Sequence, residues 1–550
     1  MIVLQGKGTS KGVAVGPLYF YVRAVNEVTK EHCGDIGEEK ARFAAAQEKA
    51  IEDINALAEK AREEAGDDAA LLFETHAMFV EDEDYAGTVI STIEDESCNA
   101  EYAVQVAGKQ FSEMFAAMDD DYMKARAADI LDVSRRLIDA LTGASAGEIV
   151  SDVPVVLAAD DLAPSETVRL DKSKVLAFAT QGGAVNGHTA ILARTMGIPA
   201  VCAVGDGLKE EQAGLLCCVD GTAGTLVIDP DDATRAEFGE KLREQEKMKK
   251  LLSEMKGQED VTLDGRHVDV YCNIGTPDDV EAVLANDGQG IGLFRSEFLY
   301  LSSDDYPTED ELFSAYRKAA EGMGGKRVVI RTLDIGADKQ ADYFGLAKED
   351  NPALGLRAVR ICLTRPEVFR TQLRALFRAS AFGKVAIMFP MITSVWEVKE
   401  CLAACESAKA ELEAEGIPFN PETEIGIMVE TPASVFMAEE LAEIVDFFSV
   451  GTNDLTQYTL ACDRQSNLGR FFDPHHPAVL RAIKAAADAA HRHGKWIGIC
   501  GELGADISML PTFLAIGIDE LSVSPASVLP LRAAIRKSTA ADCTLEKLGI

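Results

Sequence analysis

The sequence predicts a multidomain α/β protein, in which a small α/β domain with an inserted helical subdomain is joined by a helical linker to a C-terminal (β/α)8 TIM barrel. Two observations predict this class. From residue 262 to 550, short apolar runs alternate with helix-length segments, as the strands and helices of such a barrel do. Between about residues 35 and 143 the chain has no proline and spaces its apolar side chains by three and four, which is typical of long amphipathic helices.

The first segment, residues 1–21, is punctuated by glycines and predicts two short strands, 13–17 and 18–21. Strand-like apolar runs return after about residue 148. The four runs are 153–158, 175–178, 200–203 and 226–228. The economical interpretation is one α/β domain built from 1–21 and 148–230, with a helical insert over 22–147 between its two parts.

A charged run from Glu237 to Met255 predicts a helix that suits a linker between domains, and we assign 231–261 to this linker. The barrel then occupies 262–550. The predicted barrel strands are 268–272, 290–294, 327–331, 385–389, 424–429, 447–450, 496–499 and 520–523.

Composition excludes several classes of function. The chain has 47% hydrophobic and 26% charged residues, and no apolar run approaches the ~18 residues that span a membrane. No secretory signal is visible, so we expect a cytoplasmic protein without membrane insertion. The formal net charge of −37 argues against a nucleic-acid partner. The 12 cysteines lack metal-binding spacing, and the adjacent Cys217 and Cys218 cannot form an ordinary disulfide, which favours reduced thiols.

A glycine-rich stretch, 181–199, brings His188 to the start of a predicted helix that ends with Gly197 as its C-cap, just before Pro199. Unpaired N–H groups at a helix N-terminus favour an anion, so His188 could be a phosphate nucleophile, with Thr189 and Arg194 as further donors. A plain capping role for His188 fits the same pattern.

A second group of polar residues follows the predicted barrel strands, where barrels of this class place their chemistry. Arginine forks bind carboxylate and phosphate in bidentate fashion, and paired carboxylates are ligands that Mg²⁺ accepts. The implied ligand is a small molecule that carries both phosphate and carboxylate. The members of the group are Arg295, Arg331, Glu430, Asn453, Asp454, Arg464 and Cys500.

Six motifs occur in order along the chain. They are GGxxxxHTAILAR around His188, GLFRSEFLY at 292–300, RTLDIGADK at 331–339, NPALGLRAVRI at 351–361, VGTNDLTQY at 450–458 and GICGELGAD at 498–506. In these motifs the chain resembles, nearly end to end, the Enzyme I family, the phosphoenolpyruvate–protein phosphotransferases of the bacterial sugar phosphotransferase system. The resemblance implies a swivelling phosphohistidine domain and a phosphoenolpyruvate-binding barrel that pairs into a homodimer.

The resemblance also implies site roles. Phosphoenolpyruvate would be held at the barrel mouth by Arg295, Arg331, Arg464, Asn453 and Asp454, with Mg²⁺ on Glu430 and Asp454. His188 would take the phosphoryl group, and Cys500 would protonate the departing enolpyruvate to give pyruvate. Phosphohistidine would then pass the group to a histidine of the carrier protein HPr, docked on the helical insert. Three supporting residues are implied with less detail, His76 and Arg126 at the docking face and Arg357 beside the phosphate site.

Other interpretations stay open at this stage. The strand-end arginines could be salt-bridge partners, Glu430 and Asp454 could pair with them without metal, and Cys500 could be a small buried hydrophobe. Asn186 and Gly187 stand where the family usually has small hydroxylated residues, which would alter how phosphohistidine is stabilised. A synthase or dikinase with the same histidine would need an ATP-binding domain upstream, for which we expect no room. A catalytically silent regulatory relative is the third possibility.

Overall fold

The computed structural model describes residues 1–550 with gaps, and everything below concerns this part of the chain. The residues left out are 22–27, 66, 118–120, 144–150, 152, 163–165, 167–169, 184–188, 191–192, 195–196, 304, 337–340, 348, 465–467, 469, 540 and 542–550. The chain folds into two compact units, Met1–Lys249 and Lys250–Ile550.

The first unit contains a mixed sheet of eight strands in the order β1-β8-β7-β3-β4-β5-β6-β2. Parallel pairing joins β3, β4, β5 and β6, whereas β1, β2, β7 and β8 pair antiparallel. The strands are β1 (Ile2–Gln5), β2 (Lys7–Ser10), β3 (Val13–Phe20), β4 (Val155–Ala159), β5 (Val175–Thr180), β6 (Ala200–Cys202), β7 (Leu216–Asp220) and β8 (Thr225–Ile228).

The start of the chain differs from its prediction, because the two strands expected over 13–21 are one strand, β3. Its first half, up to Pro17, pairs with β7, and its second half, from Leu18, pairs with β4 on the other side. Proline lacks a donor, so it fits where the strand changes partner. Strands β1, β2 and β7 were not predicted.

Five helices fill the segment that was expected to be helical, and a sixth follows the sheet. The apolar faces of the first five form a separate core that includes Phe43, Ile54, Phe73, Val104 and Leu137. The helices are α1 (Ile36–Ala65), α2 (Asp67–Glu81), α3 (Glu83–Glu96), α4 (Ala100–Ala116), α5 (Asp121–Thr142) and α6 (Asp232–Ser253).

The second unit is a closed barrel of eight parallel strands, each within two residues of its predicted position at either end. Alternate residues of each strand face the surrounding helices, as Val328 and Ile330 do, while their neighbours face the barrel interior. The strands are β9 (Asp269–Ile274), β10 (Ile291–Arg295), β11 (Arg327–Arg331), β12 (Lys384–Phe389), β13 (Glu424–Val429), β14 (Phe447–Val450), β15 (Trp496–Ile499) and β16 (Glu520–Val523).

Helices surround the barrel and seal its outer face. They are α7 (Asp279–Ala285), α8 (Glu297–Leu301), α9 (Glu309–Gly322), α10 (Val359–Thr364), α11 (Pro366–Ser380), α12 (Val395–Glu415), α13 (Pro432–Phe436), α14 (Ala438–Ala442), α15 (Thr452–Leu460), α16 (Pro477–Arg492), α17 (Leu510–Ile516) and α18 (Val528–Ile535). Within the described ranges, none of the helices is long and apolar enough to cross a bilayer.

Candidate active site

A cavity of about 510 Å³ opens where the carboxyl ends of the barrel strands meet. Strands β10 and β11 end in arginines, and an acid and a thiol directly follow β13 and β15. Because parallel strands all end at the same rim of a barrel, these side chains converge. The predicted site residues that line the cavity are Arg295, Arg331, Glu430, Asn453, Asp454, Arg464 and Cys500. The geometry therefore brings together every barrel residue that the strand-end argument selected.

Arg331 is held rigidly inside this rim. It is 5% exposed and pairs with Glu297 through Nη2 and with Asp334 through Nη1, at 3.0 Å. Burial disfavours the charged guanidinium, but the carboxylates outweigh it and raise the pKa of Arg331. Its Nε is buried without a hydrogen-bond partner in the described structure.

Arg357 bridges two carboxylates of the same rim. Its Nη2 lies 3.0 Å from Asp334 Oδ1, and its Nη1 lies 3.2 Å from Asp454 Oδ1. The Nη1 group also donates to the Tyr458 hydroxyl at 3.1 Å. Arg357 is therefore a buried ion-pair partner that fixes Asp454, and its predicted place near the phosphate-handling set stays a prediction.

Glu430 is the most deeply buried acid of the cavity, at 1% exposed. Burial, together with the carboxylates of Asp454 and Asp334, raises the pKa of Glu430 above its ordinary value. One oxygen accepts the backbone N–H of Met391 at 2.6 Å. A cation placed beside Glu430 would offset the repulsion between its carboxylate and those of Asp454 and Asp334.

Arg295 and Arg464 complete the cationic side of the cavity. Arg295 is half-buried, and its side chain makes no ion pair or hydrogen bond with the described part of the chain, so its guanidinium is available to an anion. The Arg464 backbone N–H donates to Gln457 Oε1 at 3.1 Å, which ties its loop to helix α15.

Cys500 lies at the floor of the cavity and is 1% exposed. Burial raises the pKa of its thiol to about 12, although the nearby Ser449 hydroxyl opposes this. Its Sγ lies 3.6 Å from the Val450 carbonyl oxygen. The side chain is therefore a neutral thiol at neutral pH, able to donate a proton but not poised as a nucleophile.

His188 and the residues just before it, 184–187, lie outside the described residues. The end of the helix that follows is as predicted, because Gly197 has φ +63° and the Ile198 N–H returns to the Ala193 carbonyl at 2.9 Å. The two supporting donors have backbone partners within their unit. Thr189 Oγ1 donates to the Leu162 carbonyl at 3.5 Å, and Arg194 Nη1 to the Thr9 carbonyl at 3.2 Å.

His76 lies in helix α2 of the insert. Its ring is fully buried, with Nε2 3.6 Å from Asp129 and Nδ1 3.9 Å from Asp132. This enclosure between two acids of α5 fits a structural residue of the insert, which the sequence favours for His76, while the docking role that the resemblance implies stays a prediction. The side chain of Arg126 lies outside the described residues.

Sequence reasoning missed two acids that organise the site, Glu297 and Asp334. Both stand next to predicted strand-end arginines, two and three residues further along the chain respectively. That adjacency was a usable signal, because a buried arginine at a strand end needs a carboxylate nearby.

Among the described residues, no three or more acids, histidines or cysteines lie close enough together to hold a metal ion by themselves. Glu430 and Asp454 could act together on a cation only if ligand oxygens or water completed its coordination, which is the usual manner of Mg²⁺.

Comparison with known proteins gives matches along nearly the whole chain. Three families match in order, described as "PEP-utilising enzyme, N-terminal" over 5–126, "PEP-utilising enzyme, mobile domain" over 152–224 and "PEP-utilising enzyme, PEP-binding domain" over 249–540. The phosphoenolpyruvate-protein phosphotransferase of Geobacillus stearothermophilus is 43% identical over 537 residues, which cover 97% of this chain and 93% of that one. Those of Priestia megaterium and Bacillus subtilis are each 42% identical, over 98% and 97% of this chain and 94% of theirs.

Proposed function

Because the chain belongs to the phosphoenolpyruvate–protein phosphotransferase family, we propose that it moves the phosphoryl group of phosphoenolpyruvate to its own His188 and then to the carrier HPr. The observation that carries the site assignment is the barrel-mouth cavity, which combines three arginines, four acids and a protonated thiol. A three-carbon phosphate ester with a carboxylate matches these groups in size and charge.

The arginines bind and orient the substrate. Arg295 and Arg464 face the cavity, and Arg331, which also lines it, adds a guanidinium whose position Glu297 and Asp334 fix. A preorganised set of cations stabilises the charge that develops on the phosphoryl oxygens and costs no rearrangement during the reaction. Asn453 supplies an amide at the same rim.

Glu430 and Asp454 would hold Mg²⁺. Their fit rests on Glu430, a buried acid whose ionised form lacks enough positive charge nearby. When bound, the ion would neutralise charge on the transferring group. The carboxylate of Asp454 is already positioned by Arg357.

The transfer breaks the bond between phosphorus and the enol oxygen and forms one between phosphorus and a neutral ring nitrogen of His188. Enolpyruvate is left in the cavity. Cys500 donates its thiol proton to the methylene carbon, which gives pyruvate and leaves a thiolate. The raised pKa of Cys500 fits this order, because the thiol holds its proton until a strongly basic carbon is present.

The later steps and the setting follow from the family. We propose that HPr docks on the helical insert and takes the group from phosphohistidine, that two copies pair through their barrels, and that the protein acts in the cytoplasm. Exposed side chains of the insert, such as Met78, are available for contact with HPr, whereas the ring of His76 is enclosed.

Intact-mass analysis after incubation with phosphoenolpyruvate and Mg²⁺ tests the proposal. Wild type should gain one acid-labile, base-stable phosphoryl group, and His188→Ala should gain none. Phosphate that stays on His188→Ala, or a wild type that takes up none, would refute it. A requirement for ATP or AMP would point to a synthase or dikinase.

A further inference from the structure

The interior of the barrel has two different halves. One half is apolar and consists of side chains from neighbouring strands: Leu293, Val329, Ala386, Met388, Met428 and Phe447. The other half, contributed by β9, β14 and β16, is polar. Leu521 and Val523 of β16 face the outer helices, so the intervening Glu520 and Ser522 face inward.

The polar half runs along the barrel from its amino end to Cys500. Asp269 at the start of β9 pairs in register with Glu520, and its side chain is 42% exposed. The Tyr271 hydroxyl donates to Asp269 Oδ2 at 3.2 Å. At the other end Asn273 Nδ2 donates to the Ser522 carbonyl at 3.2 Å and to the Cys500 carbonyl at 3.1 Å. Polar groups therefore lie at both ends of this half, Asp269 at the exposed amino end and Asn273 beside Cys500.

Glu520 occupies space that two glycines leave free. A Cβ on Gly498 would lie 1.8 Å from Glu520 Oε2, and a Cβ on Gly292 would lie 2.5 Å from Oε1 and 2.6 Å from the Ser522 hydroxyl. Gly498 also pairs in register with Ser449 of β14. The carboxyl group therefore reaches over Gly498, from the side of Ser522 towards Ser449. The Ser449 hydroxyl lies near the Cys500 thiol and lowers the pKa of that thiol.

These buried polar atoms have no hydrogen-bond partner in the described structure. They are both carboxyl oxygens of Glu520, the hydroxyls of Ser449 and Ser522, and Asn273 Oδ1. Buried polar groups of this kind are satisfied by internal water, which bridges them. Burial and the charge of Asp269 raise the pKa of Glu520 well above its ordinary value, against the opposing effect of Arg327, which favours the protonated form of the carboxyl group.

We propose that Glu520 is a positioning residue that returns a proton to Cys500 after each turnover, through internal water held by Ser449 and Ser522. This rests on the proposed function, in which Cys500 gives its proton to enolpyruvate. The Glu520 O–H bond breaks, each water or hydroxyl accepts one proton and releases another, and the last proton forms the S–H bond. Glu520 is left as a carboxylate and regains its proton from solvent past Tyr271 and Asp269.

An internal route suits the order of events. When the thiolate forms, pyruvate still lies in the cavity above it and separates it from solvent on that side. Five ionisable groups of the barrel interact with Glu520: Asp269, Tyr271 and Cys272 of β9, Arg327 of β11 and Cys500 of β15.

Glu520→Gln tests the proposal, because the amide has the same size and is no acid. Rapid-quench measurement of pyruvate in the presence of HPr should show one equivalent per active site formed at the wild-type rate, since the thiol starts protonated. Later turnovers should be about 10²-fold slower. The control is Glu397→Gln, a buried carboxyl 4% exposed that accepts from Thr393 and Ser394, and it should show no such burst.

Two results would overturn the relay. One is wild-type rates in every turnover of Glu520→Gln. The other is an equal slowing of the first and later turnovers, which is the mark of a merely structural role. If Glu520→Gln does not fold, Ser449→Ala is judged by the same burst. A wild type that releases no pyruvate would instead refute the proposed function, so the two failures are distinguishable.

Discussion

Asp334 joins the two most deeply buried arginines of the site. It lies 3.0 Å from Arg331 Nη1 and 3.0 Å from Arg357 Nη2 and is 2% exposed. Asp334→Ala leaves both buried guanidinium groups short of a counter-charge. We expect the free energy of unfolding of the barrel to fall by about 3–5 kcal/mol. Urea unfolding followed by tryptophan fluorescence measures this, because both tryptophans, Trp396 and Trp496, belong to the barrel.

A matched control is Asp310→Ala. Asp310 lies 2.8 Å from Arg378, but its side chain is 84% exposed, so water screens the pair. The decrease in the free energy of unfolding should stay below about 1 kcal/mol. Similar decreases in the free energy of unfolding in the two variants would mean that burial does not determine how much these ion pairs stabilise the barrel.

Cys500 gives a prediction about pH. Its pKa, raised to about 12 by burial, keeps the thiol protonated well above the range where an exposed cysteine ionises. Pyruvate formation should therefore not decline through loss of this acid from about pH 7 to about pH 9. Cys500→Ser should still phosphorylate His188 yet release pyruvate slowly, because protonation follows transfer. An alkaline decline near the ordinary thiol pKa in wild type, absent from Cys500→Ser, would contradict the assignment.

At the scale of single residues, the sequence predicts which side chains lie at the barrel mouth but not which of them form ion pairs there. Position after a strand selects Arg331 and Glu430, because every strand end of a barrel reaches the same rim. It does not say that Arg331 is held by Glu297, since ion pairing depends on distances between strands. The helical spacing of His76 with Phe73 and Val80, which are both buried, is a sequence signal for the burial of its ring.

Helix α6 carries a glycine in its interior, Gly239, and a Cβ there would meet nothing within 4 Å. Gly239→Ala should raise the stability of this helix by about 0.5–1 kcal/mol, because glycine loses more backbone entropy on folding. Calorimetry measures the gain. If α6 must bend while the histidine domain swivels, phosphorylation of HPr should also slow.

Gly87→Ala in α3 is the control, since its Cβ would also meet nothing within 4 Å. It should give a similar local gain and leave HPr phosphorylation unchanged. Equal slowing by both variants would exclude bending of α6 as the cause.

The elements were predictable where one periodicity governs a segment. Each barrel strand is a short apolar run between polar helices, so all eight were found. Strand β7 was missed although its apolar run lies between Gly214 and Gly221, because Cys217 and Cys218 were considered only as thiols. The single strand β3 could not be read from sequence, since Pro17 looks like a break unless the change of pairing partner is known.

At the scale of the whole molecule, the two units can be followed separately, because the tryptophans report only on the barrel. Phosphoenolpyruvate with Mg²⁺ should stabilise the fluorescence-detected transition, since a ligand that binds only the folded barrel shifts its unfolding equilibrium. The gain is about 2.7 kcal/mol at a hundredfold excess over Kd. His188→Ala is the protein to use, so that the ligand is bound but not consumed.

Removal of the metal separates the contribution of Mg²⁺ from that of phosphoenolpyruvate to this stabilisation of the barrel. With a chelator present, the stabilisation by phosphoenolpyruvate should shrink, because Glu430 and Asp454 then oppose the bound anion without a cation between them. Mg²⁺ alone should give little, since two carboxylates without substrate oxygens make a weak site. Glu430→Gln should lose the dependence on metal and keep part of the response to ligand through Arg295 and Arg464. A tryptophan transition that ignores phosphoenolpyruvate, while the enzyme is still phosphorylated by it, would move the substrate site out of the barrel.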